Sequence, residues 1–338
     1  FYEKGYNQLF KNGKKKQFNV NNSDVIEEDI GKVERCIKEN LVSKQKILES
    51  VLKELMEAGG KRLRPALVLL SGKFGKYEEK KLIPLAAAIE ILHTATLVHD
   101  DVIDEAKIRR GIPTVQTRWG KDVAVFTGDF LFTKAFMLLS SSTTFENLQN
   151  LSKVVKAICE GEIEQYQSRY DKNVTVRQYL KRIGRKTALL FALSCYIGAH
   201  ESGCARDIIR LLGKFGFNFG MAFQITDDLL DFTGDSAKTG KPVGRDFVQG
   251  VYTLPLIYTL NSPLYRDEIG VLLDKHQYDR QDVDRVVELV HLSGGIDYSR
   301  NLASKYLKRA YDCIHMLPPI PARMALNDLM KGLIERNH

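Results

Sequence analysis

Cysteine, proline and tryptophan are scarce in this 338-residue chain: five, nine and one respectively. The cysteines, Cys36, Cys159, Cys195, Cys204 and Cys313, are widely scattered. They show neither metal-ligand spacing nor a disulfide framework, so a reducing, cytoplasmic setting is expected. No stretch approaches the roughly 20 uninterrupted apolar residues of a membrane-crossing helix, so no transmembrane segment is expected. No run alternates as a half-buried strand does, and no glycine-rich strand-to-helix turn marks a dinucleotide site. A divided chain is not indicated either, because no low-complexity linker interrupts it. The chain begins at Phe1, which leaves room for a preceding segment, and nothing present resembles a targeting signal.

What remains is a helical chain. Apolar residues make up 44% and charged residues 27%, which is ample for a globular core. "ILESVLKELMEAGG" has helical spacing and a glycine stop. "LIPLAAAIEILHTATLVHDDVIDEA" reads as a long helix from near Pro84 to about Ala106, broken by "RRGIP". Further helices are expected over 121–141, 146–170, 175–200 and 204–233. The expected fold class is therefore all-α: one helical domain over 23–338, with 1–22 as a polar arm. The formal charge of +8 admits nucleic acid, anionic lipid or phosphorylated small molecules. The basic run "NGKKKQ" reads as a solvated part of that arm.

Two acidic motifs carry the chemistry. "HDDVID" places Asp100, Asp101 and Asp104 at the end of an apolar helix. Asp100 and Asp104 lie about 40° apart in projection, and Asp101 about 100° from Asp100. Alone, such a triplet is as well explained by a solvated helix edge. "FQITDDLLDFTGD" repeats the spacing with Asp227, Asp228 and Asp231, again behind an apolar run. Two matching edges weaken the bland reading. Facing each other they would repel strongly, so cations have to intervene, and hard oxygen ligands suit Mg²⁺, with Mn²⁺ as a substitute. An EF-hand needs a different ligand spacing. Zinc is disfavoured because His99 has no His or Cys companions. Gly216 and Gly220, four apart, would let a neighbouring helix come close.

Basic groups accompany the acids. "GGKRLRP" supplies Lys61, Arg62 and Arg64, either a solvated turn after a helix cap or a phosphate clamp. Arg109 and Arg110 follow the first motif, Lys186 and Thr187 lie in "GRKTALL", and Lys241 follows the second motif. His93 lies seven residues before Asp100, about 20° from it in projection. A lone histidine is more often a core residue, but this alignment favours the cavity.

In combination these segments resemble the trans-isoprenyl diphosphate synthases. "GGKRLRP", "HDDVID" with "RRG", "GEIEQ" at 161–165, "RKTA", "FQITDDLLDFTGD" and "GKPVGRDF" occur in that family's order and approximate spacing, over residues 59–247. The likeness is greatest to the catalytic large components of bacterial heptaprenyl diphosphate synthases. It implies an isoprenoid-synthase-type helical bundle around a deep central cavity, commonly dimeric. It further implies that Lys61, Arg64, His93 and Arg110 bind isopentenyl diphosphate. Asp100, Asp101, Asp104, Asp227, Asp228 and Asp231 would hold Mg²⁺ on an allylic diphosphate, farnesyl diphosphate being the expected primer. Arg109, Lys186 and Lys241 would join them, with Thr187 and Gln224 turned toward the allylic carbocation. One departure stands out: many members carry lysine after the glycine matching Gly250, where this chain has Val251.

Ala95 and Thr96 are small where short-chain relatives often place rings, so an apolar passage is expected past Leu92 and Ile89, about 16 Å below Asp100. That favours a product of about six to eight isoprene units, each buried methylene contributing roughly 0.8 kcal/mol. Such a product suits a quinone side chain. The competing readings are a shorter-chain geranylgeranyl synthase, a terpene cyclase or head-to-head condensing enzyme, and a non-catalytic regulatory subunit. A cyclase needs no second diphosphate pocket, and a regulatory subunit need not keep both triplets. A nucleic-acid binder explains neither triplet. Expected partners are a second copy of the chain or a small regulatory subunit.

Overall fold

The computed structural model describes residues 25–109, 111–234, 243–275 and 277–334; the expected arm, Arg110 and Lys241 lie outside the described residues. The described residues are predominantly helical. The helices that build the site are α1 (Glu27–Asn40), α2 (Lys46–Glu57), α3 (Leu63–Gly72) and α4 (Glu79–Ile103). After a two-residue antiparallel hairpin, β1 (Ile108–Arg109) with β2 (Ile112–Pro113), follow α5 (Lys121–Ser142) and α6 (Phe145–Gln167). Then come α7 (Val176–Ile183), α8 (Leu189–Glu201), α9 (Arg206–Thr233) and, late in the chain, α10 (Gly295–His315).

Helix α4 is the central rod. It starts at Glu79, five residues earlier than the sequence suggests, with Pro84 inside it. So close to the N-terminus a proline costs one backbone bond and is tolerated. The triple alanine 86–88 is fully buried and lets neighbours close in. By length and composition α4 and α5 could each cross a membrane, although neither contains a long uninterrupted apolar run. Two-thirds of the apolar window of α4 (67%) is buried, as in the core helix of a bundle, whereas in α5 the figure is 33%. Val125, Phe126, Phe136 and Met137 of α5 are exposed.

Helix α9 is the second spine, packed on α8 and α10. Its Phe215, Phe219 and Ala222 join the buried cluster of α3, α4 and α8; its Ile225, Leu229 and Phe232 join that of the C-terminal helices. The expected close approach occurs. A β-carbon on Gly216 would stand 2.6 Å from the Phe191 carbonyl oxygen, and one on Gly220 2.7 Å from the Ala188 α-carbon.

One expected helix is divided. Residues 175–200 comprise α7, a π-helical turn at Gly184–Ala188, and α8. A single π turn inserted in an α-helix often marks a functional position, and this one carries Lys186 and Thr187.

Candidate active site

The first motif sits where α4 stops. Asp104 caps the helix, its N–H still donating to the Asp100 carbonyl at 2.8 Å. Glu105 then adopts a left-handed φ of 49°, turning the chain into the hairpin. That turn brings Arg109 back onto Asp101, with Nε and Nη2 each 2.7 Å from Oδ1. Gln116 secures the return by donating to the Asp101 and Ala106 carbonyls. Asp100 instead faces Lys186, whose Nζ lies 3.7 Å from Oδ2 and 2.8 Å from Glu162 on α6. Asp104 accepts from Arg169 Nη2 at 2.8 Å. Each aspartate of this motif thus faces a different cation, although Asp100 shares Lys186 with Glu162.

The second motif repeats the division. Asp227 and Asp231 of α9 line the site, while Asp228 turns inward. There it accepts from Tyr179 Oη at 2.6 Å and from Gln224 Nε2 at 2.8 Å. The same Gln224 accepts from the Thr187 hydroxyl at 2.7 Å, so one network fixes both polar groups expected to face the reacting carbon. Asp231 accepts from the backbone N–H groups of Arg245 and Asp246 at 3.1 and 3.2 Å. Of the six aspartates expected as metal ligands, Asp101 and Asp228 are thus turned away from their motif partners. The middle member of each motif is rotated by about 100° from the first and is taken by protein donors.

Two adjoining cavities fill the space between α4 and α9. One, of about 620 Å³, is lined by Lys61, Arg64, His93, Thr96, Asp100, Asp104, Lys186, Thr187, Gln224 and Asp227. The other, of about 570 Å³, shares Asp104, Arg109 and Asp227 and adds Asp231, Arg245, Asp246 and Gln249. Arg64 is half-buried, its guanidinium 4.3 Å from the centre of the Phe191 ring, with a buried Nε that lacks any acceptor. Burial pushes its pKa down to about 10, against the pull of Glu90. A bound anion would relieve that site. Arg62 is committed elsewhere: its backbone is left-handed, and its Nη1 lies 2.9 Å from buried Glu90.

Electrostatically the acidic side is overloaded. Burial raises the carboxyl of Asp100 despite Lys186, and that of Asp101 despite Arg109. Burial, then Asp100, raises Glu162. Asp228 is pushed up to about 7 by burial, and Asp246 well above the ordinary range by burial and then Asp231. Carboxylates crowded in this way, with only oxygen donors, fit hard divalent cations. Among the described residues no three of them close around one point. Ions would be held between carboxylates and a bound phosphate rather than in a protein cage. His99 lines neither cavity, lying 3.2 Å from the Val125 carbonyl and stacked near Phe132.

Thr96 lines the larger cavity, but Ala95, Leu92 and Ile89 are wholly enclosed in the core. The expected open passage past Leu92 and Ile89 is therefore not formed; Ile158, Leu190 and Phe223 lie beside Thr96 in the wall. Apolar side chains fill such a space because a dry void forfeits dispersion contacts. Sequence reasoning also missed Glu162, Arg169, Tyr179 and Asp246. Glu162 and Asp246 stand inside quoted motifs, "GEIEQ" and "GKPVGRDF", which was the available signal.

The family described as Polyprenyl synthetase matches residues 45–290. Heptaprenyl diphosphate synthase component 2 of Bacillus subtilis (strain 168) is 37% identical over 311 residues, spanning 92% of this chain and 89% of that protein. The protein of the same description from Geobacillus stearothermophilus is 38% identical, spanning 93% and 97%. Among solved structures, a polyprenyl synthase from Caulobacter crescentus CB15, complexed with calcium and isoprenyl diphosphate, superposes with a TM-score of 0.89. It is 34% identical and covers 96% of this chain and 100% of that one. Octaprenyl, nonaprenyl and geranylgeranyl synthases are also among the matches.

Proposed function

Because the chain belongs to the polyprenyl synthetase family and is a prenyltransferase acting on prenyl diphosphates, we propose that it joins isopentenyl diphosphate head to tail onto an allylic diphosphate, with Mg²⁺ between its acidic motifs. The observation that carries this reading is the pairing of Arg64, whose buried Nε has no acceptor, with Asp100, Asp104 and Asp227 across one cavity, Asp231 lining the adjoining one. Two diphosphates need two differently charged seats. Lys61, Arg64 and His93, with Arg110, form the seat for isopentenyl diphosphate. Asp100, Asp104, Asp227 and Asp231 form the metal-bearing seat, assisted by Arg109, Lys186 and Lys241.

Bound divalent metal supplies charge neutralisation on the departing diphosphate. The chain's own groups do the rest. Lys186 donates to a phosphate oxygen as the allylic C–O bond breaks. Thr187 and Gln224, bonded to each other and held in place by Asp228 and Tyr179, direct oxygen dipoles at the cationic carbon. The double bond of isopentenyl diphosphate forms the new C–C bond, and the released diphosphate removes the proton that restores a double bond.

The product proposed is all-trans and of medium length, about six to eight isoprene units with heptaprenyl favoured, by likeness to the component 2 proteins and from the small Thr96 on the cavity wall. It would serve as a quinone side chain. Farnesyl diphosphate is the proposed primer. The same likeness favours a small helical companion subunit, and the exposed apolar stripe of α5 offers a surface for it or for a second copy. The deciding experiment incubates the purified chain with isopentenyl diphosphate, farnesyl diphosphate and Mg²⁺, with and without such a companion, and separates the products by chromatography. Heptaprenyl product that is weak alone and stimulated by the companion is expected. Undiminished turnover in excess chelator would refute the metal assignment. Robust long-chain synthesis by the chain alone would remove the companion.

A further inference from the structure

Each carboxylate of the first motif is matched to one cation: Asp101 to Arg109, Asp100 to Lys186 and Asp104 to Arg169. Two of these cations already belong to the allylic seat. Nothing so far gives the third a purpose, yet its placement is heavily determined. Arg169 follows α6, and its guanidinium lies 5.5 Å from the centre of the Tyr166 ring. The next residue, Tyr170, adopts a left-handed φ of 62°, uncommon for a bulky side chain. Its N–H donates to the Gly250 carbonyl at 2.8 Å, and its ring fills the space against which a β-carbon on Gly250 would clash. Arg169 is thereby anchored beside Val251, while Gln249 from that same segment reaches the Asp104 carbonyl at 3.3 Å. Arg169 Nε is buried and has no acceptor.

We propose that Arg169 is a diphosphate-binding residue of this chain, supplying beside Asp104 the positive charge that apolar Val251 does not. The argument is one of charge. Cations that occupy the Asp104 carboxylate in competition with Arg169 leave a half-buried guanidinium in need of another anion; Glu105, within its field, is engaged by Lys121 at 2.6 Å, which leaves the phosphate those same cations hold. Arginine suits this task because its remaining N–H donors, Nε among them, can engage a phosphate in a fork.

This inference rests on the reading of the site given above, so its test separates the two. Binding of inorganic pyrophosphate in the presence of Mg²⁺ is measured by calorimetry for the full chain and for Arg169→Ala, Arg169→Lys and Arg169→Ala with Val251→Lys. Steady-state kinetics then vary each substrate in turn. Loss of one charge-assisted contact should weaken pyrophosphate binding about tenfold in Arg169→Ala and raise the KM for the allylic diphosphate similarly, leaving that for isopentenyl diphosphate unchanged. Arg169→Lys should retain most of the affinity, and Val251→Lys should restore a substantial part to Arg169→Ala. Unchanged pyrophosphate affinity in Arg169→Ala overturns the inference. So does a loss that neither lysine repairs, or one accompanied by equal changes for both substrates and a lower melting temperature, since Arg169 would then only support Asp104. If the unaltered chain fails to bind pyrophosphate, the reading of the site falls first.

Discussion

Helices α4, α6 and α8 lead to buried carboxylates at both ends of the bundle, and the two ends treat them oppositely. At the closed end Glu201, last residue of α8, accepts from the Thr143 hydroxyl, from the Thr144 N–H and hydroxyl, and from the Asn147 amide. Its other oxygen lies 2.6 Å from Lys81 of α4. Burial alone would raise this carboxyl, but those donors outweigh it and hold the group down at about 2. At the open end Asp100 of α4 and Glu162 of α6 share one lysine, and burial raises both. Satisfied charge holds helices together, whereas unsatisfied charge recruits a ligand. The contrast locates function more sharply than burial or charge does separately.

The largest expected effect comes from removing a carboxylate of the open end. Asp100→Ala and Asp227→Ala should each lower turnover by about a thousandfold or more, because transition-state charge stabilisation of several kcal/mol is lost. The melting temperature should not fall, since each change relieves a carboxylate that burial or a like charge disfavours. Turnover assays and thermal melts on the same preparations check this. A collapse in melting temperature would show that the open end is also structural and would break the contrast.

The closed end should answer in reverse. Glu201→Gln should keep turnover within about twofold while costing stability. The shift from 4.5 to about 2 corresponds to roughly 3 kcal/mol at about 1.4 kcal/mol per unit. The sign follows from a folded-state pKa below the unfolded one. The stabilisation is complete above about pH 4.5 and is lost as pH falls toward 2. Urea unfolding at pH 7 should therefore separate the variant from the parent, and the gap should narrow by pH 3. An equal gap at both values would mean that shape, not charge, accounts for the cost.

The open end was the more legible in sequence. Helical spacing alone placed Asp100 with Asp104, and Asp227 with Asp231, on single edges, and those pairs do face one site. It also counted Asp101 on the first of those edges, about 100° from Asp100, whereas the fold turns it to Arg109. Glu162, Arg169 and Asp246 could not be placed, because they reach the aspartates only through the packing of α6 and of residues 243–251 on α4 and α9. A one-helix projection contains no such information. The π turn at Gly184–Ala188 was hidden for a related reason: its residues suit an α-helix, and tertiary packing selects the extra residue. Pro84 misled because proline favours first turns, and the chain uses it slightly further in.

A smaller energetic change tests the cavity wall between the two ends. Thr96→Phe places a ring where Thr96 now lines the cavity, and it should shift products toward about three or four isoprene units with the metal seat intact, each excluded methylene forfeiting roughly 0.8 kcal/mol. Ala95→Phe differs, since Ala95 is fully buried in the core. Overpacking there should cost about 1–3 kcal/mol and lower the melting temperature before it shortens anything. Chromatography of products and thermal melts together distinguish the two. Full-length product from Thr96→Phe would mean that the growing tail leaves by another wall.

Asp228 is where the two kinds of carboxylate meet, and it supports the finest test. By sequence it belongs to the open end, yet it is satisfied like Glu201, by Tyr179 and Gln224. Two donors are fewer than Glu201 has, and burial still pushes its carboxyl up to about 7. Tyr179→Phe removes one donor without changing the ring, leaving Gln224 to hold the carboxyl alone. Loss of a buried hydrogen bond to such a group should cost about 1–3 kcal/mol of stability. Gln224 is also the acceptor for Thr187, so its looser orientation should lower kcat a few-fold. KM for either diphosphate should stay put, because none of these groups seats a phosphate. Steady-state kinetics beside urea unfolding read both effects. A stability loss with unaltered kcat would place Asp228 wholly with the structural carboxylates, and a change in KM for the allylic substrate would return it to the metal seat.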